Sequence, residues 1–219
     1  MIAENLSRIK KQIEASAAKS GRGAKDLTLV AITKNTPDEK VAELISLGQH
    51  HFGENKVQEL ERKAEHFNDL HWHLVGHLQT NKVNTAVKYA EYIHSVDSEK
   101  IAKKIDEVAG KSGKKQKIFV EVNVSGEESK YGISENELPE LINQINKMKN
   151  IELLGLMTMA PLVEEQACRP CFRKLRQLAG KFGLKGLSMG MSNDYGVAVE
   201  EGATFVRIGT ALFADKNNK

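Results

Sequence analysis

The sequence is short of several residue types, and each shortage excludes something. Two cysteines in 219 residues cannot supply a disulfide framework, which points to a reducing compartment. Seven phenylalanines and a single tryptophan are too few for a platform on which nucleic-acid bases stack. Neither sign of charge dominates, since 32 basic and 29 acidic residues leave a net +3 spread along the chain. The densest basic run, KSGKKQK at 111–117, falls between predicted elements and reads as a solvated loop. No nucleic-acid partner is therefore expected. Long apolar runs are missing too. The longest uncharged stretch, 153–163, is too short to cross a bilayer, and the N-terminus is charged from Glu4 onward, with no apolar segment suited to secretion. The expectation is a cytoplasmic protein with no membrane partner.

What is present is patterned. Ile2, Leu6, Ile9, Ile13 and Ala17 recur at spacings of three and four, predicting an amphipathic helix that KSGRG ends with two glycines. Short apolar or β-branched runs then follow at 27–33, 51–53, 72–76, 92–96, 118–124, 153–159, 186–190 and 205–209. Between them stand helical patterns such as DEKVAELISLG, SEKIAKKIDEVAG, ENELPELINQINKMK and FRKLRQLAGKFG. Alternation of this kind predicts a parallel sheet, because parallel neighbours need a crossover. Eight such units close into a (β/α)8 barrel of α/β class, preceded here by an extra N-terminal helix. An open doubly wound sheet competes, but no G-x-G-x-x-G follows the first strand. Residues 1–219 read as a single barrel domain, with no linker, repeat or low-complexity segment inside it.

Barrel chemistry sits where strands end and loops begin. The first strand delivers Lys34, within LVAITKNTP. Thr28, Val30, Ile32 and Lys34 share one strand side by period-two alternation, so Lys34 is expected at the barrel mouth, partly desolvated. Desolvation lowers an amine's pKa and makes it nucleophilic towards carbonyl groups. A surface lysine is the plain alternative. The second strand delivers GEN with Asn55, and the third GHLQTNK. GMSND at the seventh exit offers Ser192 and backbone N–H groups at a helix start, and RIGT at the eighth adds Gly209 and Thr210. Barrels frequently bind phosphate at these last two loops. Along FVRIG, Arg207 shares its side with Phe205 and Gly209 and is expected to point inward. There it either meets a bound ring or anion, or pairs with a buried carboxylate. An amine, a phosphate cradle and an inward arginine on one rim describe a site for pyridoxal 5′-phosphate (PLP).

At these residues the sequence resembles the pyridoxal phosphate homeostasis protein family, whose fold is similar to the barrel domain of alanine racemase. The segments that carry the resemblance are VAITKNTP, HFGENKVQE, WHLVGHLQTNK, EVNVSGEESKYG, GLMTMAP, SMGMSNDY and VRIGTALF. They run in order from the first strand to the last. The resemblance implies that Lys34 holds PLP as an internal aldimine, with no catalytic residue assigned. It implies Ser192, Gly209 and Thr210 at the phosphate, Arg207 at the pyridine nitrogen and Asn55 near the ring, with Met157 and Met159 lining the pocket. It further implies a monomeric carrier or regulator in PLP and amino-acid homeostasis, with apo PLP enzymes as recipients.

Weak catalysis follows independently. An arginine at the ring nitrogen disfavours the protonated pyridinium that best withdraws electrons. A racemase also needs acid and base on opposite faces of its substrate, and the chain ends with ADKNNK, offering only Tyr131 and Tyr195 as stand-ins. The rival readings are a slow PLP-dependent racemase and a cofactor-free Schiff-base aldolase. HWH places His71 and His73 on one strand face, but they enter their strand at the rim opposite the exits, so no metal is assigned. CRPC, with Cys168 and Cys171 around Pro170, reads as two ordinary thiols or as a helix-start thiol of lowered pKa.

Overall fold

In the computed structural model, which describes residues 1–127, 131–161 and 163–214, eight parallel strands close into a barrel in sequence order. Residues 128–130 of EVNVSGEESKYG, Leu162 and residues 215–219 of the terminal ADKNNK lie outside the described residues. The strands are β1 (Thr28–Ile32), β2 (His51–Glu54), β3 (His71–Leu74), β4 (Tyr92–Val96), β5 (Gln116–Glu121), β6 (Ile151–Met157), β7 (Gly186–Ser188) and β8 (Phe205–Ile208). Ahead of them runs α1 (Ile2–Lys19). The crossovers carry α2 (Asp38–Ser46), α3 (Val57–His66), α4 (Val83–Tyr89), α5 (Glu99–Lys111), α6 (Leu138–Ile145), α7 (Arg169–Lys181) and α8 (Tyr195–Glu200). A short α9 (Thr210–Phe213) follows the last strand. The eight predicted runs all become strands, and the closed order excludes the open sheet.

The apolar repeat of α1 is buried in full, with Ile2, Leu6, Ile9, Ile13 and Ala17 all inside. At roughly 1.5–3 kcal/mol per large aliphatic side chain, this stripe is what attaches the helix to the barrel. It lies on α8 and α9. Asn5 donates to the carbonyls of Leu212 and Ala214, and Tyr195 on α8 donates to Gln12 at 2.7 Å. Tyr195 is therefore turned away from the barrel mouth and is no stand-in acid or base. The run 111–117 also departs from the expected solvated loop. Gln116 and Lys117 open β5, and Lys114 donates to the carbonyls of Val87 and Ala90 at the end of α4, at 2.7 and 2.6 Å. Two orphan helix carbonyls are satisfied that way.

Which strand side faces the barrel axis follows from Phe205. Its ring packs against His73, Tyr92, His94 and Phe119, on strands that are not its neighbours. The β1–β8 register pairs Thr28 with Phe205 and Val30 with Arg207, so the predicted inner side of β1 and the inward Arg207 both hold. Barrel interiors are ordinarily filled by branched aliphatics. This one has a histidine- and aromatic-rich centre instead.

Candidate functional site

The exits of β1, β7 and β8 form one arc of the C-terminal rim. β1 stops at Ile32. The Thr36 N–H then returns to the Thr33 carbonyl at 3.0 Å, and Asn35 sits in the left-handed region at φ 55°, which Asn tolerates. That turn lifts Lys34 above the strand, and its side chain is exposed rather than half desolvated as the alternation suggested. Alternation ends where the ladder ends. Lys34 nevertheless stands beside the last crossover, because Gly209 packs on Ile32 so closely that a Cβ there would lie 3.1 Å from the Ile32 carbonyl oxygen.

Thr33, just before Lys34, is bolted from outside the barrel. Its hydroxyl donates to Glu54 Oε1 at 2.7 Å, and Lys63 Nζ donates to the Thr33 carbonyl at 2.5 Å and to Glu54 Oε1 at 2.6 Å. Both charged residues are fully buried, and Glu54 Oε2 has no hydrogen-bond partner among the described residues. Sequence reading took GEN for Asn55 alone. The available signal was alternation, which puts Glu54 on the outer side of β2, against α3. Asn55 itself is exposed at the exit of β2, and its backbone lies so close to Gly76 that any Cβ there would collide with its carbonyl.

The last two loops are joined by Ser192, whose Oγ accepts the Ala211 N–H at 3.1 Å, in the first turn of α9. Gly190 holds φ 93° with the Ala198 side chain packed where a Cβ would go, and its carbonyl accepts the Arg207 N–H at 2.9 Å. Gly209 and Thr210 begin the same turn, Thr210 exposed. Ser192, Gly209, Thr210 and Lys34 thus share one arc.

Arg207 is 4% exposed and sits beneath that arc. It donates through Nη1 to Ser188 Oγ at 2.5 Å and through Nη2 to the Thr158 carbonyl at 2.9 Å. The alternative of a direct carboxylate pair is not realised among the described residues; Glu121 and Asp194 supply opposite charge from further away. Burial brings the guanidinium down to about 10. Of the five guanidinium N–H groups these two bonds use two, and Nε is the one nitrogen with no hydrogen-bond partner among the described residues, which leaves it open to a ligand. Glu121, at the inner end of β5, is pushed up to about 7 by burial, against the pull of Arg207. Met157 is buried on the inner side, paired in register with Glu121 and Ser188, and Met159 is half-buried. Tyr131 stacks on His77 at 4.4 Å, and His77 faces Asp97 at 3.3 Å.

Cys168 corrects the lowered-pKa reading of CRPC. Burial, then the nearby Asp194, push its thiol up to about 11. Pro170 does open α7, as expected. His71 and His73 do share a face: His71 pairs with Glu91 at the N-terminal rim, while His73 lies wholly inside.

An amine, a hydroxyl, fresh backbone N–H groups and a buried guanidinium whose Nε is unbonded are a donor set that suits an aromatic aldehyde bearing a phosphate. Comparison with known proteins agrees. Residues 4–217 match the family model described as alanine racemase, N-terminal domain. The chain is 41% identical to the pyridoxal phosphate homeostasis protein of Aquifex aeolicus, over 97% of each chain. It is 38% identical to that of Pseudomonas aeruginosa, over 99% of this chain and 96% of the relative. PipY of Synechococcus elongatus, solved with PLP bound, superposes with a TM-score of 0.85 at 34% identity, over 98% of this chain and all of PipY. Alanine racemase of Clostridium difficile shares the fold, with a TM-score of 0.77 at 18% identity, over all of this chain and 57% of the racemase.

Proposed function

The chain belongs to the pyridoxal phosphate homeostasis protein family, and from that membership we propose that it binds PLP covalently on Lys34 and buffers or delivers the cofactor with little turnover of its own. PLP brings an aldehyde and an electron-withdrawing ring. Lys34 supplies the amine for the Schiff base, standing exposed beside the β8 exit. Ser192, Gly209 and Thr210 hold the phosphate, Asn55 borders the ring, and Arg207 offers its open Nε–H to the ring nitrogen. The observation that carries the reading is the Ser192–Ala211 hydrogen bond, which unites the last two exits into one cradle next to the turn bearing Lys34.

Low turnover follows from the same residues. A cation under the ring keeps the ring nitrogen unprotonated, which weakens electron withdrawal. Tyr195, bonded to Gln12, takes no part at the mouth. The exposure of Lys34 suits a carrier, since an acceptor protein or a free amine reaches the linkage easily. Apo PLP enzymes are the recipients this reading implies.

Mixing the purified protein with PLP tests it. A near-visible absorption band should form, borohydride should fix the cofactor's mass on Lys34, and Lys34→Ala should lose both while its circular dichroism is unchanged. A wild type that stays colourless overturns the reading. Sustained conversion of one amino acid would overturn the carrier role and favour a racemase.

A further inference from the structure

A continuous line of hydrogen bonds threads the barrel from its N-terminal rim to Arg207. His51 Nδ1 meets His73 Nε2 at 3.0 Å, His73 Nδ1 meets His94 Nε2 at 2.9 Å, and His94 Nδ1 meets Ser188 Oγ at 2.7 Å. Ser188 Oγ then accepts from Arg207 at 2.5 Å. His73 and His94 are completely buried, and His51 borders a cavity of about 450 Å³ that Gln49, His50 and His71 also line. Burial holds all three rings neutral at ordinary pH, His51 down to about 4 and the other two well below their usual value. Each ring therefore has one N–H and one bare nitrogen.

That count constrains the chain. Every link joins an Nδ1 to the next group, so neutral rings complete both imidazole links only if all three carry the same tautomer. In the Nδ1–H form, Ser188 would accept from both His94 and Arg207, and its own proton would need a further acceptor. In the Nε2–H form, Ser188 accepts from Arg207 and donates to His94, and the single proton left over, His51 Nε2–H, belongs to the partly exposed ring that borders the cavity rather than to the fully buried Ser188. Each ring then turns its lone-pair end, the negative end of its dipole, towards Arg207. The guanidinium, which lacks a carboxylate pair, is thereby held from below by an aligned dipole chain.

We propose that His51, His73, His94 and Ser188 are positioning residues that act through Arg207: a one-way hydrogen-bond chain, all Nε2–H, that keeps the guanidinium in place with its Nε–H aimed at the bound cofactor. The aim at a cofactor rests on the PLP reading above; the chain itself does not. Its titratable neighbours at the lower end are His50, His71, Glu91, Tyr92 and Lys117, and those around Arg207 at the upper end are Glu121 and Asp194.

Imidazole nitrogen NMR on the cofactor-free, histidine-labelled protein tests the chain directly. All three rings should show a protonated Nε2 and a bare Nδ1. Ser188→Ala removes the donor that sets the direction, so the tautomers of all three should shift together, including His51, which does not touch Ser188. Ser188→Thr should restore them. His51→Phe removes the lower end and should leave His73 and His94 as Nε2–H. Mixed tautomers in the wild type, or a Ser188→Ala change confined to His94, overturns the proposal; the wild-type spectrum and His51→Phe decide the matter should Ser188→Ala not fold. With cofactor, Ser188→Ala should weaken PLP binding about tenfold while borohydride still labels Lys34, and an unchanged affinity overturns the positioning role. A wild type that binds no PLP sinks the parent reading instead and leaves the tautomer result standing.

Discussion

Lys34 and Ser192 are both assigned to one cofactor, but their chemistry separates them. On the proposed reading Lys34 contributes a bond and Ser192 a contact. Replacing Ser192 by Ala removes a hydroxyl from the proposed phosphate cradle and leaves the Ala211 N–H without its acceptor. A lost hydrogen bond to a charged group is worth about 1.5–3 kcal/mol, so PLP affinity should fall roughly tenfold or more in a fluorescence titration. The absorption band, once saturated, should be unchanged, unlike that of Lys34→Ala. Cys168 gives a simpler residue-scale prediction. A thiol pushed up to about 11 has almost no thiolate at neutral pH, so a disulfide reagent should modify it far more slowly in the native than in the unfolded protein. Rapid native labelling of Cys168 would revive the reading of a helix-start thiol of lowered pKa.

The ends of the elements, not their middles, orient the site. β1 presents Lys34 from a turn whose first residue is clamped by the buried Lys63–Glu54 pair, reaching over from α3 and β2. Two buried charges attract strongly only while both are present, and removing one strands the other. Lys63→Met should therefore cost about 3–5 kcal/mol, visible as a thermal midpoint lower by about 10 °C, the scale expected for a chain of this size. Lys63→Met with Glu54→Gln should recover part of the loss. A Lys63→Met protein as stable as wild type would show that the clamp does not hold β1.

For the whole molecule, the interior histidines decide how stability follows pH. His51, His73 and His94 are neutral in the folded barrel and titrate near 6.5 when unfolded. Between those values the unfolded chain binds more protons, so stability rises with pH through the window and is lost as pH falls below about 6.5. Glu121 opposes this. Its folded value of about 7 lies above its unfolded one, so its contribution falls as pH rises towards 7. Three histidines against one glutamate leave a net uptake of about two protons on unfolding near pH 5, shrinking to less than one by about pH 6.5 as the unfolded histidines lose their protons, and the denaturation midpoint should drop most steeply towards the lower end of that range. His94→Phe should reduce the slope by about one proton. A flat profile would mean that the histidines are charged or wet.

Sequence alone sufficed for the period of the eight strands, of α1 and of four crossover helices, because burial on one side of a strand or one stripe of a helix is written directly into the order of apolar residues. The stripe of α1, the eight strands, the inner side of β1 and the inward turn of Arg207 were all legible for that reason. Periodicity stops being informative where the ladder stops. The exposure of Lys34 was decided by the turn at Asn35, the upward shift of Cys168 by its burial near Asp194, and the withdrawal of Tyr195 by Gln12 on a distant helix. The histidine line was also out of reach. His51, His73 and His94 lie on three successive strands, about twenty residues apart, and Ser188 joins them from 94 positions further along. Pairing of neighbouring strands brings the histidines within 3 Å of one another, the link from His94 to Ser188 crosses the interior from β4 to β7, and no local pattern encodes either contact.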